Sequence, residues 1–217
     1  IVREVGAFLL NGSMYAGWRP VLWSVAEKTA LADAEVEYHD HTSPTIWVRF
    51  PVKTASVPSL DGASVVIWTT TPWTIPGNRA VAADPEARYS VVEIVDPGEN
   101  ERARAGERLV LGSDLLEQVI REAQIGDYRV VAEIGGTELK GTVCAHPFRG
   151  QGYDFDVPVL HAEFVTMDQG TGFVHIAPGH GTDDWHLGQA HGLEIPETVD
   201  GDGRFYPHVP LFAGALV

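Results

Sequence analysis

Cysteine and basic residues are scarce in this sequence of 217 residues, and it has no long apolar run. Cys144 is the only cysteine, which excludes an internal disulfide and a cysteine-based zinc site and favours a reducing, cytoplasmic setting. A membrane helix needs ~20 consecutive apolar residues, so we expect no membrane partner. The 15 Lys and Arg are outnumbered by 30 Asp and Glu, which gives a net charge of −15. Since non-specific affinity for nucleic acids depends on basic residues at phosphates, this charge argues against a broad nucleic-acid surface and against DNA as a partner.

The acidic excess is largest in residues 151–217, which contain ten Asp or Glu and one basic residue, Arg204. If the chain handles RNA, it is therefore expected to bind only a small part of the molecule. The chain begins with Ile1 rather than Met, shows no signal peptide, and ends on the apolar Val217. We expect both ends to be cut from a longer chain.

Hydrophobic periodicity predicts a mainly β fold with helices (α+β), in a single domain over residues 1–217. Strands are predicted at 45–52, 64–68, 89–95, 108–111, 128–134, 138–144, 157–166 and 172–177, and helices at 1–10, 27–34, 113–123 and 183–191. Many short strands with few helices predict a closed or nearly closed β-barrel with helices at its rim. Residues 1–40 are expected to pack on this barrel as a helical, connecting segment.

A threonine-rich segment follows the predicted buried strand at 64–68. It is Trp68-Thr69-Thr70-Thr71-Pro72-Trp73-Thr74-Ile75-Pro76-Gly77-Asn78. Proline keeps the preceding residue out of the helical conformation, so Thr71 and Ile75 are expected to be extended. The segment would present hydroxyls in fixed directions beside indole rings, which suits a small polar ligand or the end of a nucleic acid. A threonine-rich strand edge with its tryptophans in the core is the alternative.

A second polar segment runs from Gly170 to His186, where a strand, a glycine-rich loop and a helix follow one another. Such a junction favours a site, because a rigid scaffold holds a loop that is free to contact ligand. His175 is expected to point away from its strand neighbours Val174 and Ile176. In the first helical turn, Asp184 either reaches into a pocket or only caps the helix, with Thr182 as the expected N-cap.

The clustered histidines require a test for a metal site, because six of the nine follow residue 160. Zinc sites use two or three His or carboxylate ligands on one face. Asp184 and His186 are two residues apart and diverge on a helix, and no His-Glu-x-x-His pattern occurs. We therefore predict no metal. A Gly-x-Ser-x-Gly nucleophile motif and a phosphate-binding glycine loop are also missing.

The two segments together resemble one family. WTTTPWT followed by IPGNRAV resembles the threonine-rich signature of isoleucyl-tRNA synthetase editing domains, and GTGFVHIAPGHGTDD resembles their second signature. Similar stretches at 20–24, 29–38 and 141–148 extend the resemblance over essentially the whole chain. Valyl and leucyl enzymes typically carry TTRPET or TTRPDT where this chain has TTTPWT. The HIGH-like and KMSKS-like motifs of the synthetic site are absent.

This resemblance implies an editing domain built on a closed β-barrel with peripheral helices. Its expected activity is post-transfer editing, the hydrolysis of the ester that joins valine to the terminal ribose of tRNA(Ile). The expected partners are the 3′ end of tRNA(Ile) carrying valine and the remaining synthetase domains. No cofactor is expected for the domain, whereas the parent enzyme uses ATP and Mg²⁺. A passive module that binds the acceptor end and a metal-dependent hydrolase are the alternatives.

The resemblance also implies roles for individual residues. Asp184 is expected to hold the α-ammonium group of the substrate, and His175 to lie against the valine side chain and exclude a longer one. The ester and terminal ribose are expected to be bound, and the attacking water oriented, by Thr69, Thr70 and Thr71. The remaining candidates are Trp73, as a wall of the side-chain pocket, and Asn78, as a supporting or substrate-facing amide.

Overall fold

Eleven strands and three α-helices make up the regular structure of the computed structural model, which describes residues 1–217. In chain order they are α1 Val2–Leu10, β1 Trp23–Ser24, β2 Thr29–Ala30, β3 Ile46–Thr54, β4 Ala63–Thr69, β5 Ala80–Ala83, β6 Arg88–Asp96, β7 Arg108–Gly112, α2 Leu116–Glu122, β8 Asp127–Gly135, β9 Val143–Ala145, β10 Asp156–His161, β11 Phe173–Ile176 and α3 Thr182–His191. None of the helices has the length and apolarity that a membrane span requires.

Nine of the strands form one curved sheet in the order β11-β5-β10-β9-β3-β4-β7-β6-β8, and β1 and β2 form a small separate hairpin. The pairs β5–β10 and β4–β7 are parallel, and the other pairs are antiparallel. Strand β3 follows the predicted alternation, with Phe50 buried and its neighbours Arg49 and Pro51 exposed. The apolar run of β4 is mostly buried, because strands cover both of its edges near Val65. The prediction of a mainly β fold with helices is thus confirmed.

The prediction of a closed barrel is wrong, because the terminal strands β11 and β8 do not pair. Strand β11 curves back beside β4 without forming a hydrogen-bonded ladder with it. The chain just before β11 is instead held by the end of β7, where Gly112 N–H donates to the Thr171 carbonyl at 2.7 Å. Since β4 pairs with β7 only as far as Val65, the segment Val66–Thr69 keeps one open edge. The sheet therefore remains open between β4 and β11.

Several local predictions fail where the chain lacks a strong pattern. Residues 27–34 form the turn and second strand of the β1–β2 hairpin and a 3₁₀ turn rather than a helix. The predicted neighbouring strands 128–134 and 138–144 do not form a hairpin across Gly135-Gly136, because β8 pairs with β6, and β9 pairs with β3 and β10. There the Glu138 carboxylate accepts from the Gly135 N–H at 2.7 Å and closes a 3₁₀ turn. The short alanine-rich strand β5 has no counterpart among the predicted elements.

Three buried clusters fix the elements that carry the two sequence motifs. The largest lies inside the curved sheet and includes Phe50, Tyr89 and Phe173. A second cluster packs α2 against β6 and β7. A third, smaller cluster joins β5 and β11 to the side of α3 that carries Leu187. Strand β11 consequently lies between two apolar layers, which fixes the start of α3 relative to the end of β4.

The N-terminal 45 residues lie largely on the surface. Helix α1 ends at Leu10 as predicted, but none of its residues is buried. The segment contacts the C-terminal half of the chain: Trp185 donates its indole N–H to the Trp18 carbonyl at 2.7 Å, and Trp23 donates to the Gly201 carbonyl at 3.0 Å. These two contacts are with α3 and the turns that follow it, whereas Ser43, near the end of the segment, donates to the Thr70 carbonyl. The assignment of the whole chain to a single domain stays a prediction.

Candidate functional site

A cavity of about 370 Å³ opens where β4 and β11 fail to pair. The threonine-rich segment forms one wall, and β11 with the start of α3 forms the opposite wall. The loop between β10 and β11 closes one side. The lining residues are Trp68, Thr69, Thr70, Thr71, Thr74, Phe164, Thr166, Gln169, Gly170, Gly172, Phe173, Val174, His175, Ala177, His180 and Asp184. The two motifs thus meet at one site although about 100 residues separate them in the chain.

The threonine wall is organised by hydrogen bonds within the segment. The Thr69 hydroxyl oxygen accepts from the Thr71 N–H at 3.1 Å and lies 3.3 Å from the Thr71 hydroxyl. A 3₁₀ turn then begins at Pro72 and ends at Gly77. From outside, Ser43 donates to the Thr70 carbonyl at 2.6 Å. The predicted trio Thr69, Thr70 and Thr71 therefore lines the cavity in a fixed conformation.

His175 and Thr74 connect the two walls. The Thr74 hydroxyl donates to the Thr71 carbonyl at 2.9 Å, so its oxygen accepts from Nε2 of His175 at 3.0 Å. This assigns the proton to Nε2 and leaves Nδ1 as a buried acceptor with no partner in the protein. Burial, and then the neighbouring His180 and His146, lower the pKa of His175 to about 4. The ring is therefore neutral at pH 7.

Asp184 lies in the first turn of α3 and lines the cavity. Its Oδ1 accepts from the Ala177 N–H at 2.7 Å, which ties the end of β11 to the start of the helix. Burial raises the pKa of this carboxyl group, and the N–H groups of Ala177 and Asp184 itself oppose that shift. The predicted N-cap at Thr182 is wrong: Gly181 occupies that position, and a Cβ there would collide with the Asp184 carboxylate. Asp184 thus combines a hydrogen bond to the residue that follows β11 with a place on the cavity wall.

His180 joins the same wall, although sequence reasoning gave it no role beyond the test for a metal. Its Nε2 pairs with the Thr198 hydroxyl, and its ring meets Trp73 edge to face at 5.0 Å. Burial lowers the pKa of His180 to about 4. In the sequence, only the position of His180 inside a glycine-rich loop indicated that it could line a site.

Two predicted site residues lie outside the cavity lining. Trp73 is partly exposed and reaches the site only through the ring of His180. Asn78 is fully buried; its Nδ2 donates to the Ala80 carbonyl at 2.8 Å, and its Oδ1 has no partner. Both residues therefore support the walls from behind.

His146 supports the threonine wall from the core. Its Nδ1 accepts from the Phe148 N–H at 3.1 Å, so Nε2 carries the proton and donates to the Ile75 carbonyl at 3.1 Å. The ring stacks on Tyr153 at 4.7 Å with an interplanar angle of 12°. Burial lowers the pKa of His146 to about 4. No pattern in the sequence predicted the contact between His146 and Ile75.

The structure gathers no group of three His, Cys, Asp or Glu side chains in an arrangement that would hold a metal ion. His186 and His191 are exposed on α3 and do not line the cavity. Cys144 is buried, and burial raises the pKa of its thiol to about 12, so it is not an activated nucleophile.

The curved sheet with a cavity between a threonine loop and a glycine-rich loop corresponds to a known class of protein. A family model described as the leucyl-tRNA synthetase editing domain matches residues 57–208, which include both walls. The chain therefore belongs to the family of aminoacyl-tRNA synthetase editing domains. The crystal structure of GlLeuRS-CP1 has the same fold, with a TM-score of 0.52 and 17% identity over 70% of this chain and 66% of that one.

Curated relatives place the chain more narrowly within that family. The isoleucine–tRNA ligases of Pelagibacter ubique and Gluconobacter oxydans are each 50% identical to it over its whole length. That of Agrobacterium fabrum is 44% identical over 98% of the chain. The chain spans about a quarter of the length of these relatives, 24%, 23% and 23% respectively. The chain is therefore an editing-domain segment of an isoleucine–tRNA ligase.

Proposed function

We propose that this cavity hydrolyses the ester of valine wrongly attached to tRNA(Ile), as the post-transfer editing site of a longer ligase. One observation carries the proposal: Thr69–Thr71, His175 and Asp184 converge on a single cavity from two distant segments. The proposed partners are the 3′ end of the mischarged tRNA and the other domains of the ligase.

Asp184 is the proposed acceptor for the α-ammonium group of valine. Burial disfavours its charged form, and a bound cation would offset that cost through a charge-assisted hydrogen bond. Because its other contact is with the Ala177 backbone, the carboxylate is held in place before the substrate arrives. This preorganisation fixes the ester relative to the threonine wall.

His175 is the proposed limit on side-chain length. The synthetic site cannot strongly exclude valine, because one methylene is worth only ~1–3 kcal/mol, a limit usually illustrated with this same pair of amino acids. A second cavity that admits valine but is too small for isoleucine supplies the missing discrimination. The His175 ring suits this role because it is buried and held by Thr74, so it does not readily move aside.

The threonine wall is proposed to bind the ester and ribose and to orient the attacking water. The Thr69 and Thr71 hydroxyls are held by internal hydrogen bonds, so polarising the carbonyl and positioning water require little rearrangement. We propose hydrolysis without a covalent intermediate and without a cofactor of the domain itself, while ATP and Mg²⁺ serve the synthetic site of the ligase. Trp73 and Asn78 are proposed to support this wall rather than to touch the substrate.

The test measures the release of amino acid from Val-tRNA(Ile) and Ile-tRNA(Ile) by the chain and by Asp184→Ala. Valine release is expected to fall about 100-fold in the variant, and isoleucine is expected to remain attached throughout. The matched control is Asp183→Ala, because Asp183 is exposed in the same helical turn. Equal valine release by the chain and Asp184→Ala would overturn the proposal. Binding without hydrolysis would indicate the passive module, and loss of activity with a chelator would indicate a metal-dependent hydrolase.

A further inference from the structure

The roles proposed for the cavity leave one mostly buried cation, Arg79, unused. Its side chain is 14% exposed and does not line the cavity. The residue follows Asn78 at the end of the threonine-rich segment and directly precedes β5. Burying a guanidinium group costs free energy unless its N–H groups find partners, so the partners of Arg79 show which parts of the protein it holds together.

Three hydrogen bonds of Arg79 join three parts of the site. Its backbone N–H donates to the Ile176 carbonyl at 2.8 Å, at the end of β11. Its Nη1 donates at 2.7 Å to the carbonyl of Asn78, the residue that ends the 3₁₀ turn of the threonine wall. Its Nε donates at 3.0 Å to the carboxylate of Glu194, which lies beyond the end of α3. One residue thus connects both cavity walls to the chain that leaves α3.

Residues 193–198 form a return segment that lies against the glycine-rich loop. A Cβ at Gly179 would be 3.0 Å from the Pro196 carbonyl oxygen. The Thr198 hydroxyl pairs with Nε2 of His180. The salt bridge to the guanidinium group therefore fixes the start of the return segment, and the segment fixes the loop that carries His180.

The guanidinium group is anchored from the core. Its Cζ lies 4.4 Å from the centre of the Phe155 ring, a distance at which a cation is attracted to an aromatic face. The Phe155 ring packs at 5.2 Å against His146, which holds the Ile75 carbonyl of the 3₁₀ turn. A planar group with five N–H donors satisfies these directions together, whereas the ammonium group of a lysine does not reproduce them.

We propose that Arg79 is a positioning residue, which sets the distance between the threonine wall and the wall that carries Asp184. It holds the first wall at the Asn78 carbonyl. It holds the second at the Ile176 carbonyl, next to the Ala177 N–H that binds Asp184. The inference rests on the proposed function, in which one wall holds the ester and the other holds the ammonium group. A change in their spacing should therefore slow hydrolysis while the binding groups remain in place.

Glu194 provides the sharpest test, because its side chain is 72% exposed and does not line the cavity. Its replacement affects the site only through Arg79. Glu194→Ala is expected to lower kcat for valine release from Val-tRNA(Ile) about fivefold, with KM changed less than about twofold. Glu194→Gln keeps an acceptor oxygen for Nε and is expected to restore most of kcat. Arg79→Lys is expected to lower kcat about tenfold, because it loses the directions of the guanidinium group.

Two matched controls change similar residues that do not belong to this link. Glu197→Ala removes an exposed acid of the return segment whose side chain has no hydrogen-bond or ion-pair partner. Arg88→Lys alters a surface pair with Glu133, in which the side chains are 68% and 54% exposed. Both are expected to keep kcat and KM. The double variant Arg79→Lys/Glu194→Ala is expected to be no slower than Arg79→Lys alone, because both changes break the same link.

Amide hydrogen exchange at Ala177 supplies a readout that needs no substrate, because this N–H is bound by the Asp184 carboxylate across the start of α3. Its exchange is expected to be about fivefold faster in Glu194→Ala and unchanged in Glu197→Ala, since a looser link opens this contact more often. Melting temperatures are measured for every variant and are expected to stay equal in Glu194→Ala.

The two proposals fail differently. Equal kcat in the unchanged chain, Glu194→Ala and Arg79→Lys would overturn the positioning role and leave the deacylase proposal intact. A loss of activity that Glu194→Gln does not restore would overturn it as well. If the unchanged chain releases no valine, the deacylase proposal fails, and exchange at Ala177 decides the other: faster exchange in Glu194→Ala would support the link between the walls, and equal exchange would overturn it.

Discussion

Two regions of this molecule bury a neutral histidine, and they treat its nitrogens differently. In the aromatic cluster formed by Phe50, Phe148, Tyr153 and Phe155, both ring nitrogens of His146 have backbone partners. On the cavity wall, His175 uses Nε2 and leaves Nδ1 without a partner. An unpaired buried polar group costs about 1–3 kcal/mol. The hydrogen bonds of the ring are thus complete in His146, which is packed in the core, and incomplete in His175, which lines the cavity.

The two regions also hold the same turn from opposite sides. His146 binds the Ile75 carbonyl, while His175 binds the Thr74 hydroxyl, and both acceptors belong to the 3₁₀ turn Pro72–Gly77. The aromatic cluster therefore holds the threonine wall in place from the side of the core. Changes at the cavity should alter activity with little loss of stability, whereas changes in the cluster should lower stability first.

The largest expected effect is the loss of activity in Asp184→Asn. The amide keeps an oxygen that can accept from the Ala177 N–H but removes the charge that is proposed to hold the substrate. Deacylation is expected to fall about 100-fold, or ~2.7 kcal/mol in the barrier. Since burial disfavours the carboxylate, the free energy of unfolding is expected to stay equal or to rise. Valine release and urea unfolding measure the two quantities. Unchanged activity, or a large loss of stability, would contradict the expectation that changes at the cavity alter activity rather than stability.

His146→Phe is expected to show the opposite behaviour. Phenylalanine keeps an aromatic ring in the cluster but leaves the Ile75 carbonyl and the Phe148 N–H without their partner. The free energy of unfolding is expected to fall by about 2 kcal/mol, measured by urea unfolding at pH 7. The control is His208→Phe, because His208 also pairs with a backbone carbonyl, that of Glu197 at 2.8 Å, but lies on the surface. Equal losses in the two variants would contradict a special role for the aromatic cluster.

The pH dependence of stability should reveal the buried neutral histidines of both regions. The pKa values of His146, His175 and His180 are lowered to about 4, below the ordinary value of 6.5. The unfolded chain therefore binds more protons between these values, so stability is complete above pH ~6.5 and is lost as the pH falls toward 4. His146→Phe is expected to reduce the slope of unfolding free energy against pH by up to ~1.4 kcal/mol per unit. Urea unfolding at pH 7, 6 and 5 measures this slope. An unchanged slope in His146→Phe would contradict the lowered pKa of His146.

The sequence predicted the parts of the fold that have strong local patterns. The alternation of β3 and the apolar run of β4 indicated both strands, and α3 ends at His191, the predicted last residue of its helix, where Gly192 follows in the left-handed conformation. It did not predict the alanine strand β5, whose residues have little preference for a strand. Closure of the barrel depended on whether β4 pairs with a strand about 100 residues away, which no local pattern decides.

The same limit applies to the site. Thr69–Thr71, His175 and Asp184 were found because they lie in motifs, and the structure places all of them at the cavity. Phe164 and Gln169 lie in a loop without a distinctive pattern, and His146 acts only through a contact made by the fold. These residues become candidates only when three-dimensional neighbours are known.

The smallest expected effect is that of Thr198→Val, which tests the second histidine of the cavity wall, His180. His180 lines the cavity like His175, and its Nε2 likewise pairs with a buried hydroxyl, that of Thr198. Removing that hydroxyl while keeping the shape of the side chain is expected to cost about 1 kcal/mol of unfolding free energy. Deacylation is expected to fall two- to threefold, because the His180 ring is less firmly held beside the substrate. A loss of activity as large as that of Asp184→Asn would place His180 among the residues that contact the substrate, and unchanged activity would place it with His146.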